Sequence, residues 1–298
     1  MPKSSWTLAC SMTCLLVLAE SSARGADPPK KPAEQFRLEY PAAYKKLERF
    51  YTNMTMSVKQ TCLKESSPVK GQVTYWRFRG DGQSFRRDNR KYEGDDDSAS
   101  VVVRDPGLSF AAKRKSASEK YSFLWKERPA PVDFDDSLCV FRSQSLACAA
   151  PFCTVVGRTV ADLIAEKNFE LVDASRIVDP GGDLVKIDWN SPLPDGRRCR
   201  GRIVFAPDDC WALREMIMHF DGLEEATGKV FEGCLGMNVE YSGKRDGVPL
   251  VRQVRTWGEV KAGRKPIWLY EATSLRPGPA PGHDFRPEIL GLNPDAAP

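Results

Sequence analysis

The stretch from Gly201 to Phe220, GRIVFAPDDCWALREMIMHF, limits the possible folds more than any other part of the chain. It reads as two strand-like runs joined by a Pro-Asp turn, and the second run carries bulky apolar residues at odd and even positions alike. Successive side chains of a strand point to opposite faces of a sheet. Strict alternation therefore sets Trp211, Leu213 and Ile217 on one face and Met216, Met218 and Phe220 on the other. Both faces then need an apolar cover, so a single flat sheet with one wet side is excluded.

The rest of the chain supplies many more strands than helices. Tyr44, Leu47, Tyr51 and Met54 recur at helical spacing in PAAYKKLERFYTNM, with Pro41 suited to a first turn. A second helix is expected over TVADLIAEKNF, where Thr159 with Asp162 resembles a capping box and Val160, Leu163 and Ile164 form an apolar stripe. Strand-like runs follow the first helix directly, from TMSVKQTCL through VTYWRFR, QSFRRDNRKY, SASVVVRD, LSFAAKRK and KYSFLWKE. Others come late in the chain: LVKIDW, the opening hairpin, GMNVEYSGK and PLVRQVRTWGEV, with GDG and RDG as turn signals. The helices do not alternate with the strands, so a parallel βαβ sheet is not expected. The fold class is α+β: a large antiparallel sheet with a few helices packed on or closing it.

Two short helices cannot cover both faces of such a sheet. The uncovered set could include Trp76, Phe78, Met216, Met218, Phe220 and Trp257. Either a second layer of strands covers them, as in a sandwich, or the sheet curls and they line an apolar cavity.

At the N-terminus, Lys3 precedes an apolar run from Leu8 to Ala19, and small residues lead to Ala26. This is the layout of a cleaved secretory signal over 1–26, followed by a disordered linker at 27–35. An exported periplasmic or extracellular protein is expected. Without the signal, 42 basic residues face 39 acidic ones. A near-neutral surface of mixed sign argues against a nucleic-acid partner. Seven cysteines remain, an odd number that leaves at least one thiol unpaired. Cys148 and Cys153 are the closest pair. With Phe205 and Cys210 flanking the turn, Cys199 would lie opposite Met216, so a Cys199–Cys210 bridge is not expected. No CxxC occurs and the chain has two histidines, so neither a metal site nor a cofactor is expected.

The order of elements resembles the LolA-like fold of periplasmic lipoprotein carriers and their relatives. The resemblance rests on the helix YKKLERFYTNM running straight into TMSVKQTC, the strands of VTYWRFRGDGQSFRRD, the mid-chain VADLIAEKNFELV and the F-x-P-D turn of the late hairpin. It spans residues 36–273 and implies a single domain over 36–275, a curved antiparallel half-barrel closed by helices around a hydrophobic cavity for acyl chains. The insert from Pro129 to Phe152, the seven cysteines and the Pro-rich tail at 276–298 depart from the carrier pattern. No residue role transfers position by position.

Nothing in the sequence assembles a catalytic group. His219 sits in a dense strand and His283 in the tail, no GxSxG elbow occurs, and EGDDDSAS lacks the spacing of a calcium loop. Basic clusters at Arg86, Arg87, Arg90 and Lys91, at Lys113–Lys115, and at Arg197, Arg198, Arg200 and Arg202 read as charged strand edges or as contacts to anionic headgroups at a membrane surface. The expected function is non-catalytic binding of a lipid or acylated lipoprotein in the apolar cavity, with Trp76, Phe78, Met216, Met218, Phe220 and Trp257 as lining. The alternative is an envelope protein-interaction module of the same fold.

Overall fold

Short turns join neighbouring strands almost throughout, and the topology follows from them. The computed structural model describes residues 31–93, 96–127, 154–155, 158–179, 182–192, 198–224, 229–260 and 263–295. Helix α1 (Pro32–Thr52) leads into a first meander: β1 (Met54–Cys62), β2 (Val73–Gly80), β3 (Phe85–Glu93), β4 (Asp96–Arg104), β5 (Ser109–Arg114) and β6 (Ser122–Glu127). A two-stranded ribbon, β7 (Thr154–Val155) with β8 (Arg158–Thr159), precedes helix α2 (Val160–Ala165). The second meander comprises β9 (Glu170–Asp179), β10 (Gly182–Pro192), β11 (Arg198–Ala206), β12 (Ala212–Glu224), β13 (Lys229–Arg245), β14 (Val248–Val260) and β15 (Gly263–Pro277).

Pairing of β15 with β1 fuses the two meanders into one antiparallel sheet of 13 strands that runs from β6 through β1 and β15 to β9. Helix α1 approaches β2, β14 and β9, which lie far apart in that order. One helix can touch all three only if the sheet curls around it. The fold is thus α+β, an open curved half-barrel with helices inside its hollow. Residues Pro32–Pro298 form one unit by their contacts. The segment expected to be a signal and the Cys148–Cys153 pair lie outside the described residues.

Two turns show the local chemistry expected of them. Asp81 accepts hydrogen bonds from the backbone N–H of Gln83 and Ser84 through Oδ1, at 3.0 and 2.6 Å, and so closes the β2–β3 turn. Asp246 and Gly247 take φ of 53° and 71° between β13 and β14, as a type I′ hairpin requires.

The helices depart from the sequence reading. Helix α1 begins at Pro32, and Pro41 lies inside it, not in its first turn. An internal proline removes a backbone hydrogen bond, and the burial of Phe36 and Tyr40 in the turns before it offsets the loss. Helix α2 ends at Ala165, short of the Phe169 expected, and Glu170, Leu171 and Val172 belong to β9.

Candidate functional site

The register of each strand pair fixes which residues share a face. On β11 and β12 the pairs are Cys199 with Phe220, Gly201 with Met218, Ile203 with Met216 and Phe205 with Leu213. Arg214 is skipped at a bulge. Leu213 therefore stands on the same face as Met216, Met218 and Phe220, and Ile217 and His219 stand on the other. This corrects the expected split, because one extra residue reverses the alternation. It also places Cys199 opposite Phe220 and not Met216, and both Cys199 and Cys210 are free thiols.

The same bookkeeping across β1, β2 and β13–β15 gives one continuous inner face. Met56 pairs with Phe78, and Val58 with Trp76. Gln60 pairs with Tyr270, Tyr270 with Val254, and Val254 with Val239. Met237 pairs with Met216, and Leu235 with Met218. Trp76, Phe78, Met216, Met218 and Phe220 are thus brought together on the concave side. Trp257 is not: it pairs with Gly236 on the outer face, buried, with its ring lying where a Gly236 side chain would be. Its indole N–H donates to Asn238 Oδ1 at 3.1 Å. The sequence set of six therefore divides five to one.

Helix α1 fills one end of the hollow. Phe36 packs against Phe205 and Trp211, with ring centres 5.6 and 5.5 Å apart, and Tyr40 against Phe205 at 5.0 Å. Trp211 Nε1 donates to Glu39 Oε2 at 3.2 Å. Near the helix C-terminus the Tyr51 hydroxyl donates to Pro249 O at 2.7 Å and accepts from Val251 N at 2.9 Å. By register, Phe205, Leu213, Tyr241, Val251, Leu275, Met54 and Phe78 all belong to this end.

The opposite end is less covered. Trp76, Phe220 and Tyr270 are only half-buried there, and Leu235 is 41% exposed although it points to the concave side. A polar rung crosses it: Trp76 Nε1 donates to Gln60 Oε1 at 2.7 Å, and Gln60 Nε2 donates to the Tyr270 hydroxyl at 3.3 Å. Beside the rung, the Arg87 guanidinium lies 5.2 Å from the Trp76 ring centre. Burial pushes the Arg87 pKa down, the mark of a cation held where water solvates it poorly. Sequence reasoning placed Arg87 in a basic cluster and missed that it alone of that cluster's arginines turns inward. Its spacing of two from Phe85, which puts both on one face, was the available signal.

The histidines lie elsewhere. His219 is on the outer face, its Nε2 3.9 Å from Cys234 Sγ and its Nδ1 3.8 Å from Glu232, and His283 is exposed beside Asp284. Among the described residues no three His, Cys, Asp or Glu side chains are grouped to hold a metal.

Solved structures similar to the chain include a DUF1329 family protein from Desulfovibrio piger, at 12% identity and a TM-score of 0.44, covering 88% of this chain and all of that one. A LolA superfamily protein from Nitrosomonas europaea is similar at 11% identity and a TM-score of 0.38, over 85% and 99% of the two chains. The MucA/MucB complex of Pseudomonas aeruginosa is similar at 10% identity and a TM-score of 0.24, over 81% and 98%. No family model and no curated protein matches the chain.

Proposed function

We propose that the protein is an exported, non-catalytic carrier or sensor that takes an acyl chain, from a lipid or an acylated lipoprotein, into the open end of its concave face. The observation that carries this reading is the apolar surface left there. Trp76, Met218, Phe220, Leu235 and Tyr270 come from four strands, share one face and end beside the half-buried Arg87 guanidinium. An acyl chain laid on them removes apolar area from water at roughly 25 cal/mol per Å². Arg87 stands where an anionic head would sit, and the Gln60–Tyr270 rung offers hydrogen-bonding groups to an ester or amide.

The test is the binding of a fluorescent fatty acid to the mature protein, with Leu235→Asp and Phe220→Ala as variants. Both positions are partly exposed, so the fold tolerates the change better than at Met218. Each variant is expected to weaken binding about tenfold or more, the equivalent of about 1.4 kcal/mol. Unchanged affinity in both would remove this face from consideration.

A second reading, an envelope protein-interaction module, rests on the sheet edge. Strand β9 ends the sheet and exposes Val172, Ile177 and, at 87%, Val178. An exposed apolar edge strand is a template for strand addition by a partner. A Val178→Lys variant that no longer recovers a stoichiometric envelope protein, while binding acyl chains normally, would favour this reading over the first.

A further inference from the structure

The indoles of Trp76, Trp211 and Trp257 each donate to a side-chain oxygen, of Gln60, Glu39 and Asn238 respectively. Trp189 does not. It is 1% exposed, one of the largest fully buried side chains, and its Nε1 has no hydrogen-bond partner among the described residues. A buried indole N–H ordinarily finds a partner, because a donor taken out of water without one loses the bonds it made there. The unliganded protein thus holds a donor that folding has desolvated and left unsatisfied.

Trp189 stands on the concave face of β10. It pairs with Gly201 of β11, Gly201 pairs with Met218 of β12, and Met218 with Leu235 of β13. The row Trp189–Gly201–Met218–Leu235 therefore leads from the indole to the exposed part of the acyl surface. Gly201 leaves the second place of this row open. Trp189 Cζ2, on the ring edge that carries the N–H, lies 3.1 Å from where a Gly201 Cβ would stand. That edge is turned along the row toward Met218, while Phe169 stacks beside the ring with centres 6.2 Å apart. The side chains that share the face around the indole, Leu171, Ile187, Ile203 and Met218, are apolar.

We infer that the Trp189 N–H selects the ligand of the acyl site by donating to a neutral oxygen that the ligand carries, an ester or amide carbonyl or a chain hydroxyl. The inference rests on the reading of the open concave end as an acyl site. An indole N–H donates and never accepts, so it recognises an acceptor. In apolar surroundings a neutral oxygen costs far less to desolvate than a carboxylate does. Strand β10 lies eight places from β3, which carries Arg87, in the order of the sheet. The oxygen that meets Trp189 is therefore remote from an anionic head at Arg87, and the ligand class is an oxygenated acyl chain and not a plain fatty acid.

The test is displacement of a fluorescent fatty acid from the intact mature protein by three competitors, each with one free carboxylate: palmitic acid, ω-hydroxypalmitic acid and the monomethyl ester of hexadecanedioic acid. At least one of the two oxygenated competitors is expected to bind the wild type about tenfold more tightly than palmitic acid, the discrimination one buried hydrogen bond provides. In Trp189→Phe that ratio is expected to fall to near unity, whatever the change does to affinity as a whole. A preference for the hydroxy acid assigns the oxygen to a chain hydroxyl, and a preference for the ester assigns it to a carbonyl. Equal competition by all three in the wild type, a comparison that needs no variant, would overturn the inference and leave the acyl reading standing. A preference that survives in Trp189→Phe would do the same. Failure of all three to displace the probe would overturn both.

Discussion

Tyr51 shows how single residues hold the hollow in shape. Its hydroxyl, fully buried, joins the end of α1 to two backbone groups of β14. Tyr51→Phe leaves a buried carbonyl and a buried N–H without that partner, and about 1–3 kcal/mol of stability should be lost in urea unfolding. Cys199 is a buried free thiol whose pKa is pushed up to about 11 by burial. It should resist alkylation at pH 8 while the less buried Cys234 reacts. The sign follows from the folded value lying above the ordinary 9.0: there is no penalty below pH 9, and stability falls as pH rises from there toward 11. Asp188 shifts the other way. Partial burial raises its pKa, but hydrogen bonds from Arg202 at 2.8 Å and Lys186 at 3.0 Å outweigh burial and hold it below the usual carboxylate range. Its stabilisation is present at neutral pH and disappears as pH falls through the folded value. Asp188→Asn should therefore be less stable than wild type at pH 7 and indistinguishable from it in strong acid.

At the scale of elements, strand existence was legible in the sequence and strand facing was not. VTYWRFR, PLVRQVRTWGEV and the RDG turn lie where their composition puts them, because β-branched and aromatic runs between turn residues specify a strand locally. Facing is set by register, and the bulge at Arg214 depends on how β11 and β12 pair. Nothing within ALREMIMHF announces it. Trp257 was misplaced for a related reason: its cover is the absent side chain of Gly236 on the next strand, a cross-strand fit that no single run contains. Helix α1 was read from Pro41 because a proline there is normal in a first turn. The nine residues before it are helical because Phe36 and Tyr40 find Phe205 and Trp211, which lie far along the chain. The end of this helix is fixed as tightly. A side chain added at Gly80 would meet the Thr52 carbonyl oxygen at 2.2 Å, which is backbone and cannot swing away. Gly80→Ala should cost about 1–3 kcal/mol in denaturant unfolding, where the exposed Gly282, with open space for an added side chain and no left-handed backbone, serves as the comparison for crowding.

Across the whole molecule, the sheet is covered on both sides by different means. The concave side packs around α1 and α2 in one large apolar cluster. Outside, a second cluster joins Val101, Val103, Phe110 and Ala112 of β4 and β5 to Ala280, Phe285 and Leu292 of the C-terminal segment. That segment, read from its prolines as a tail, carries its apolar residues singly, without a period, so its role as a cover was invisible until β4 and β5 were placed beneath it. The question raised by GRIVFAPDDCWALREMIMHF is answered in the same way: its large apolar residues share the inner face, and Ile217 and His219 look outward among charged neighbours. The central claim is that the open end of this inner face holds an acyl chain. Native mass spectrometry of the mature protein, purified from an exported preparation and followed by organic extraction, tests it most directly. A discrete added mass that extracts as a lipid, and that Leu235→Asp diminishes, is the predicted result. A bare mass that persists after incubation with membrane lipids would contradict it.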